Sequence, residues 1–347
     1  MKYLTLIVTV IALVSCKKDP PVEPTPGKYE AGIIILNEGL FQQNNSSMTF
    51  YSFNEHQEYQ QVFYKENNRG LGDTANDMVL YDSGDSTYLV VAVDVSSQIE
   101  IIDAASLKSV KQIPVFNGSI AREPRRLQIA GSNIYSCNYD GSVSVISMTT
   151  KSIINTITVG ANPDGMALVG TNLYVTNSGG LNSPVYDTTI SVIDLTTATV
   201  TTQIGTRINC AATLADNEGD LYVISNGNYT SVSPALLRID TQTNLVVDSV
   251  AISIGSWAFY DDWIYYYDSD LQGVYRYHTL TETFENDKII DCNGYQTMYK
   301  LFVNNSGIYT ADANGYVNSS TIRCYNLAGG YQYEFTAGLN ATKFIFN

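Results

Sequence analysis

Residues equipped for acid, base or metal chemistry are scarce in this chain. Its 347 residues include only two histidines, His56 and His278, far apart in sequence. Zinc coordination and histidine-assisted nucleophiles therefore lack their usual residue. The string Gly70-Leu71-Gly72-Asp73-Thr74-Ala75 spells a degenerate dinucleotide fingerprint. That chemistry needs a strand before the glycines and a helix after them, and the following residues read as a strand instead. Asp268-Ser269-Asp270 and Asp312-Ala313-Asn314-Gly315 are fragments of calcium-like spacing that also suit plain turns. There is no GxSxG elbow and no HExxH pair, and the carboxylates are spread along the chain without a singled-out pair. No catalytic residue, metal site or cofactor is expected. What is abundant is recognition chemistry: 26 tyrosines, with Asn, Asp and Arg at turn-like positions.

Apolar residues make up 44% of the chain and charged ones only 15%, enough apolar content for a sizeable core. The formal charge is -15, from 34 acidic and 19 basic residues. Nucleic acid is thus not an expected partner, because phosphate would meet a repelling field.

Met1-Lys2, an apolar run from Tyr3 through Val14, and Leu13-Val14-Ser15-Cys16 resemble a bacterial lipoprotein signal of residues 1–15, cleaved before a lipidated Cys16. Acyl chains there would tether the protein to a membrane. Residues 16–27 carry four of the nine prolines and read as an extended tether, so the globular domain is expected over 28–347. The later cysteines, Cys137, Cys210, Cys292 and Cys324, show no framework spacing and read as buried thiols, with a Cys292–Cys324 bridge as the alternative.

The remaining chain is repetitive. Asn162-Pro163-Asp164-Gly165-Met166-Ala167-Leu168, Asn172-Leu173-Tyr174-Val175-Thr176-Asn177, Ile190-Ser191-Val192-Ile193-Asp194 and Thr199-Val200-Thr201-Thr202-Gln203-Ile204 are four short strands with turn residues between them. The same order recurs in the units before and after. Seven third-strand ends, at Ser52, Asp103, Ser147, Asp194, Asp240, His278 and Asn326, space the units at roughly 46 residues. The expected fold is all-β: a seven-bladed β-propeller of four-stranded antiparallel blades. The first unit opens on Ile33-Ile34-Ile35-Leu36-Asn37, which matches a second strand. The C-terminal Lys343-Phe344-Ile345-Phe346-Asn347 is therefore expected to supply its innermost strand and close the ring.

The repeat phrase, together with Ile35-Leu36-Asn37-Glu38-Gly39, Asn44-Asn45-Ser46-Ser47-Met48-Thr49-Phe50-Tyr51 and Leu71-Gly72-Asp73-Thr74-Ala75-Asn76-Asp77-Met78, resembles the YncE-like, surface-layer-type propellers. Within these it resembles the Bacteroidetes lipoprotein branch that includes BtuG-type cobalamin-binding proteins. The resemblance implies an outer-membrane, lipid-anchored protein facing the cell exterior. It further implies capture of a corrinoid and its transfer to a TonB-dependent outer-membrane transporter, with cobalamin as ligand and not cofactor.

Starts of first strands and ends of second strands in such blades share one face near the axis. That face is expected to gather Asn37, Glu38, Asn76, Arg125, Arg126, Asp164, Asn177, Asn226, Trp257 and Tyr295, with Phe41, Tyr186 and Tyr229 on neighbouring loops. Aromatic rings suit a flat apolar macrocycle, and the amide and charged groups suit its amide fringe. A glycan or a protein partner would use the same residue types, so both remain open from the sequence.

Overall fold

The computed structural model describes residues 28–347; the expected signal, Cys16 and the proline-rich tether lie outside these residues. Seven antiparallel sheets of four principal strands surround a central channel, the sixth with an added short strand, Ile290–Asp291. Fourth-blade topology is typical: Pro163–Val169 innermost, then Asn172–Asn177, Thr189–Asp194 and Thr199–Gly205. The innermost strands of blades one to seven are Ala341–Phe346, Ala75–Asp82, Pro124–Ala130, Pro163–Val169, Cys210–Ala215, Ile254–Tyr260 and Met298–Asn304.

Ala341–Phe346 pairs antiparallel with Gly32–Asn37, with Ile33 opposite Phe346 and Ile35 opposite Phe344. The last strand of the chain thus completes the first blade, as the missing first strand of that unit required. Closure covers Gly32–Asn37, which would otherwise be the inner edge of blade one, so that blade one has four strands like the others.

The apolar residues form seven buried clusters, each a layer between adjacent blades. A strand packed between two blades is buried on both faces, so alternation does not send half its side chains to water. Tyr265-Tyr266-Tyr267 shows the effect. Tyr265 and Tyr267 enter the layer toward blade seven, Tyr266 enters the layer toward blade five, and all three are buried. Tyr174 and Tyr222 are core in the same way. His278 closes the turn after its strand, its Nδ1 accepting the Thr281 N–H at 3.2 Å.

All four later cysteines are free and buried. The alternative Cys292–Cys324 bridge is not formed, because the two thiols lie on opposite sides of blade seven. Cys292 packs toward blade six and Cys324 toward blade one. Burial pushes both thiols up to about 12.

Two local devices shape the channel mouth. The residue before the innermost strand has positive φ at Thr74, Glu123, Asn162, Asn209 and Asn340, which swings the chain inward. Asparagine tolerates that region best among non-glycine residues, which explains three of the five. Next, every innermost strand carries a register slip near its start. Such a bulge re-aims one side chain out of the sheet. The residues skipped by the ladder are Thr342, Asn76, Arg125, Asp164, Ala211, Gly255 and Tyr299, one per blade.

Candidate functional site

These bulge residues form one ring at the channel mouth, and their successors Lys343, Asp77, Arg126, Gly165, Ala212, Ser256 and Lys300 form a second ring below it. The rings are lopsided. Blades one to four and seven contribute charged or hydrogen-bonding side chains, whereas blades five and six contribute Ala, Gly and Ser. A cavity of about 430 Å³ occupies the space so left, lined by Arg126, Asp164, Lys300 and Lys343 on one side and by Ala212, Gly255 and Trp257 on the other.

Arg125 organises the charged wall. Its guanidinium reaches Asp94 at 3.1 Å, Asp164 at 3.3 Å and the Asn76 side-chain oxygen at 2.7 Å, and it lies 4.5 Å over the Tyr139 ring. Asn76 in turn donates to Asp94 at 2.9 Å. Arg126 donates to the Asn76 carbonyl at 3.0 Å and stands 3.8 Å from Asp164. Burial raises Asp94 to about 6, outweighing Arg125 and Asn76, which stabilise its charge. Burial disfavours the Arg125 charge, but Asp164 and its other anionic neighbours hold its pKa above the ordinary arginine value. Lys343 pairs with Asp77 at 3.0 Å. Burial alone would raise Asp77, yet Lys343 and Arg126 hold it below the usual carboxylate range. Glu38 accepts a hydrogen bond from the Tyr299 hydroxyl, whose pKa is raised by burial and by that carboxylate.

Loops after the second strands raise aromatic side chains around this cup. Asp73 accepts the N–H groups of Gln42 and Asn44, each at 3.1 Å, fixing the loop that carries Phe41, 67% exposed. Asn162 and Asp187 pin the ends of the 178–187 loop, which holds Tyr186 half-buried. The Asn228 side chain accepts three successive N–H groups, from Thr230, Ser231 and Val232. That turn presents Tyr229, in a left-handed conformation and 73% exposed.

The residues expected on this face therefore divide. Glu38, Asn76, Arg125, Arg126 and Asp164 converge at the channel mouth, and Phe41, Tyr186 and Tyr229 stand on the surrounding loops. Asn226 is half-buried beside the Tyr229 loop, its N–H donating to the Asn209 carbonyl at 2.9 Å. Asn37 and Asn177 are 0% exposed. Each donates its side-chain amide to two hydroxyls of the next strand, Ser47 and Thr49 or Thr189 and Ser191, so these two amides are consumed inside their blades. Trp257 is not in a loop. It lies within Ile254–Tyr260 opposite Tyr266, at the position held by Leu127, Met166 and Leu301 in other blades, and packs in the layer between blades five and six while lining the cavity. Tyr295 bonds to Thr310 at 2.7 Å and Tyr325 at 2.9 Å beneath the Arg323 guanidinium, within blade seven and away from the cup.

Lys300, Tyr299, Lys343, Asp94 and Tyr139 complete the cup and were not anticipated. The signal existed: Met298-Tyr299-Lys300-Leu301 aligns with Pro124-Arg125-Arg126-Leu127 once the bulge is counted. The long insertion before blade seven, with its extra strand, put the expected strand start at Tyr295, three residues early.

The carboxylates here are held by guanidinium, ammonium or hydroxyl partners, and among the described residues no three His, Cys, Asp or Glu side chains gather to hold a metal ion. The arrangement is that of a preorganised polar cup with an aromatic rim, suited to holding a ligand.

Comparison with known proteins adds a family. A family profile described as "Domain of unknown function (DUF5074)" matches residues 31–343. The chain belongs to this family. No curated protein matches it. Among solved structures, the DUF5074 chain is similar to a "Quinonprotein alcohol dehydrogenase-like protein" from Bacteroides thetaiotaomicron, at 14% identity and TM-score 0.66 over 92% of this chain and 78% of that one. Kuenenia stuttgartiensis hydrazine synthase matches at 18% identity and TM-score 0.60, over 74% and 85% of the respective chains. A computationally designed protein, Ika8, matches at 12% identity and TM-score 0.56, over 77% and 88%. At these identities the likeness is one of fold alone, and it places DUF5074 among the propellers.

Proposed function

We propose that this DUF5074 chain is a non-enzymatic, lipid-anchored surface protein that captures a corrinoid on the cup face and passes it to a TonB-dependent outer-membrane transporter. The observation that supports this reading is the pairing of a charged, amide-bearing cup with exposed rings at Phe41 and Tyr229. A corrinoid has a flat apolar macrocycle edged with amides, and rings over the plane with Arg, Asn and Asp around the edge match both parts. Anchoring through Cys16 on the outer surface follows from the signal-like N-terminus and is part of the same proposal.

Isothermal titration of the purified protein with cyanocobalamin, and with cobinamide as second ligand, tests it. Stoichiometric binding weakened by Tyr229→Ala supports corrinoid capture. A folded protein that binds neither ligand overturns it.

A second reading, a protein partner docked on the same face, is favoured by one further observation. Exposed apolar side chains continue around the rim at Ile120, Leu181, Val185, Leu271 and Val317. A rim of this kind exceeds what one small molecule needs to cover.

A further inference from the structure

The chain is strongly acidic, yet Arg126, Lys300 and Lys343 line its channel cavity and Arg125 joins them at the mouth. Three are matched by anions: Arg125 by Asp94 and Asp164, Arg126 by Asp164, and Lys343 by Asp77. The fourth, Lys300, has no ion-pair partner among the described residues, although it lines the same cavity. Its ammonium lies 5.3 Å from the ring of Tyr299, whose hydroxyl already engages Glu38, the carboxylate that blade one contributes to this mouth. Asp164, from blade four, is shared by the two arginines of blade three. A partly buried cation without a counter-charge is costly to keep, and proteins usually pair it or replace it. Here the space opposite is kept open by Ala212, Gly255 and Ser256, and Trp257 and Phe302 add apolar wall.

From this geometry we infer that the channel mouth is an anion-binding site, in which Lys300 and Arg126 hold the carboxylate or tetrahedral oxyanion group of a small ligand whose apolar part lies against Trp257. The site stands independently of the corrinoid reading. The groups facing Lys300 explain how it would respond to pH. Burial and then Arg126 push its amine down to about 8, while Glu38 and Asp164 oppose the fall and Arg125 adds to it. An arriving anion would restore the proton, so binding should take up protons near pH 8.

Sulfate and citrate are suitable probes, because neither changes its charge appreciably between pH 7 and pH 9; they stand respectively for phosphate-like and carboxylate-bearing ligands. Calorimetric titration and thermal melts at matched ionic strength should show binding of at least one of them. Affinity should fall about tenfold from pH 7 to pH 9, as expected when a required proton has a pKa near 8. Lys300→Met should abolish the response and, without anion, raise the thermal midpoint, whereas Lys300→Arg should keep the response and lose its pH dependence. The inference is overturned if neither anion binds, if Lys300→Met responds like the parent, or if Lys300→Met lowers the anion-free midpoint, which would mark a structural lysine. Loss of cyanocobalamin binding would leave these outcomes unchanged, so the two readings fail separately.

Discussion

The carboxylate of Asp77, in the innermost strand of blade two, accepts the backbone N–H of Leu127 in blade three at 2.9 Å. Ser256 does the same for Leu301 between blades six and seven, also at 2.9 Å. These two second-ring residues thus fasten blade two to blade three and blade six to blade seven as well as lining the channel. Asp77 is additionally the counter-charge of Lys343 in the closing strand, so a single side chain joins blades one, two and three.

Asp77→Ala is accordingly expected to destabilise the fold by about 3 kcal/mol, the cost of stranding a mostly buried partner. Asp77→Asn, which keeps an acceptor for Leu127, should cost less. Because the Asp77 carboxyl is held below its ordinary value, its contribution is present above about pH 4 and lost as pH falls through the folded pKa. Denaturant melts of the parent and Asp77→Asn at pH 7 and pH 3 check this, the gap between them narrowing in acid.

Removal of residues 341–347 should prevent folding and not simply shorten the chain. Phe344 is buried, and its strand supplies the whole inner edge of blade one. Truncating one buried Phe costs about 3 to 5 kcal/mol, and a total stability of about 5 to 15 kcal/mol does not survive loss of a core strand. Circular dichroism and a thermal scan of the truncated chain decide it; a cooperative transition near the parent midpoint would refute closure.

Trp257 and Tyr229 should separate when each is replaced by alanine. Trp257 fills an inter-blade layer, so its loss should cost about 3 kcal/mol of stability. Tyr229 is mostly exposed, and its loss should stay within about 0.5 kcal/mol while weakening ligand binding. Melting both variants beside a ligand titration distinguishes a wall residue from a rim residue.

The stability gap between the parent and Lys300→Met should also depend on pH. With the folded-state amine pushed down to about 8, the unfolded chain holds more protons between pH 8 and roughly 10.4, the ordinary lysine value. The parent should therefore gain on Lys300→Met as pH rises through that window, and run parallel to it below pH 7. Paired urea melts at pH 7, 8, 9 and 10 measure the gap.

The blade count, the four-strand order and the closing role of the last strand were legible in the sequence, because they rest on local strand and turn chemistry repeated seven times. Loop residues such as Phe41 and Tyr229 were legible for the same reason: the second strand before each loop is unmistakable, so the loop falls on a known face. Asn37 and Asn177 looked like face residues by position, but hydroxyls two places apart on the neighbouring strand capture their amides, a pairing visible only across strands. Lys300 escaped notice because an insertion hid the register of blade seven.

The sequence by itself determined a seven-bladed ring and the face on which its second-strand loops fall, since periodicity and turn residues act over a few positions. Tertiary structure alone decided which side chains meet. Seven bulges turn seven residues toward one axis, and only when the ring closes do Arg126, Asp164 and Lys300, far apart along the chain, line a common cavity. Whether a charge is paired there depends on distances between blades, which no local pattern encodes.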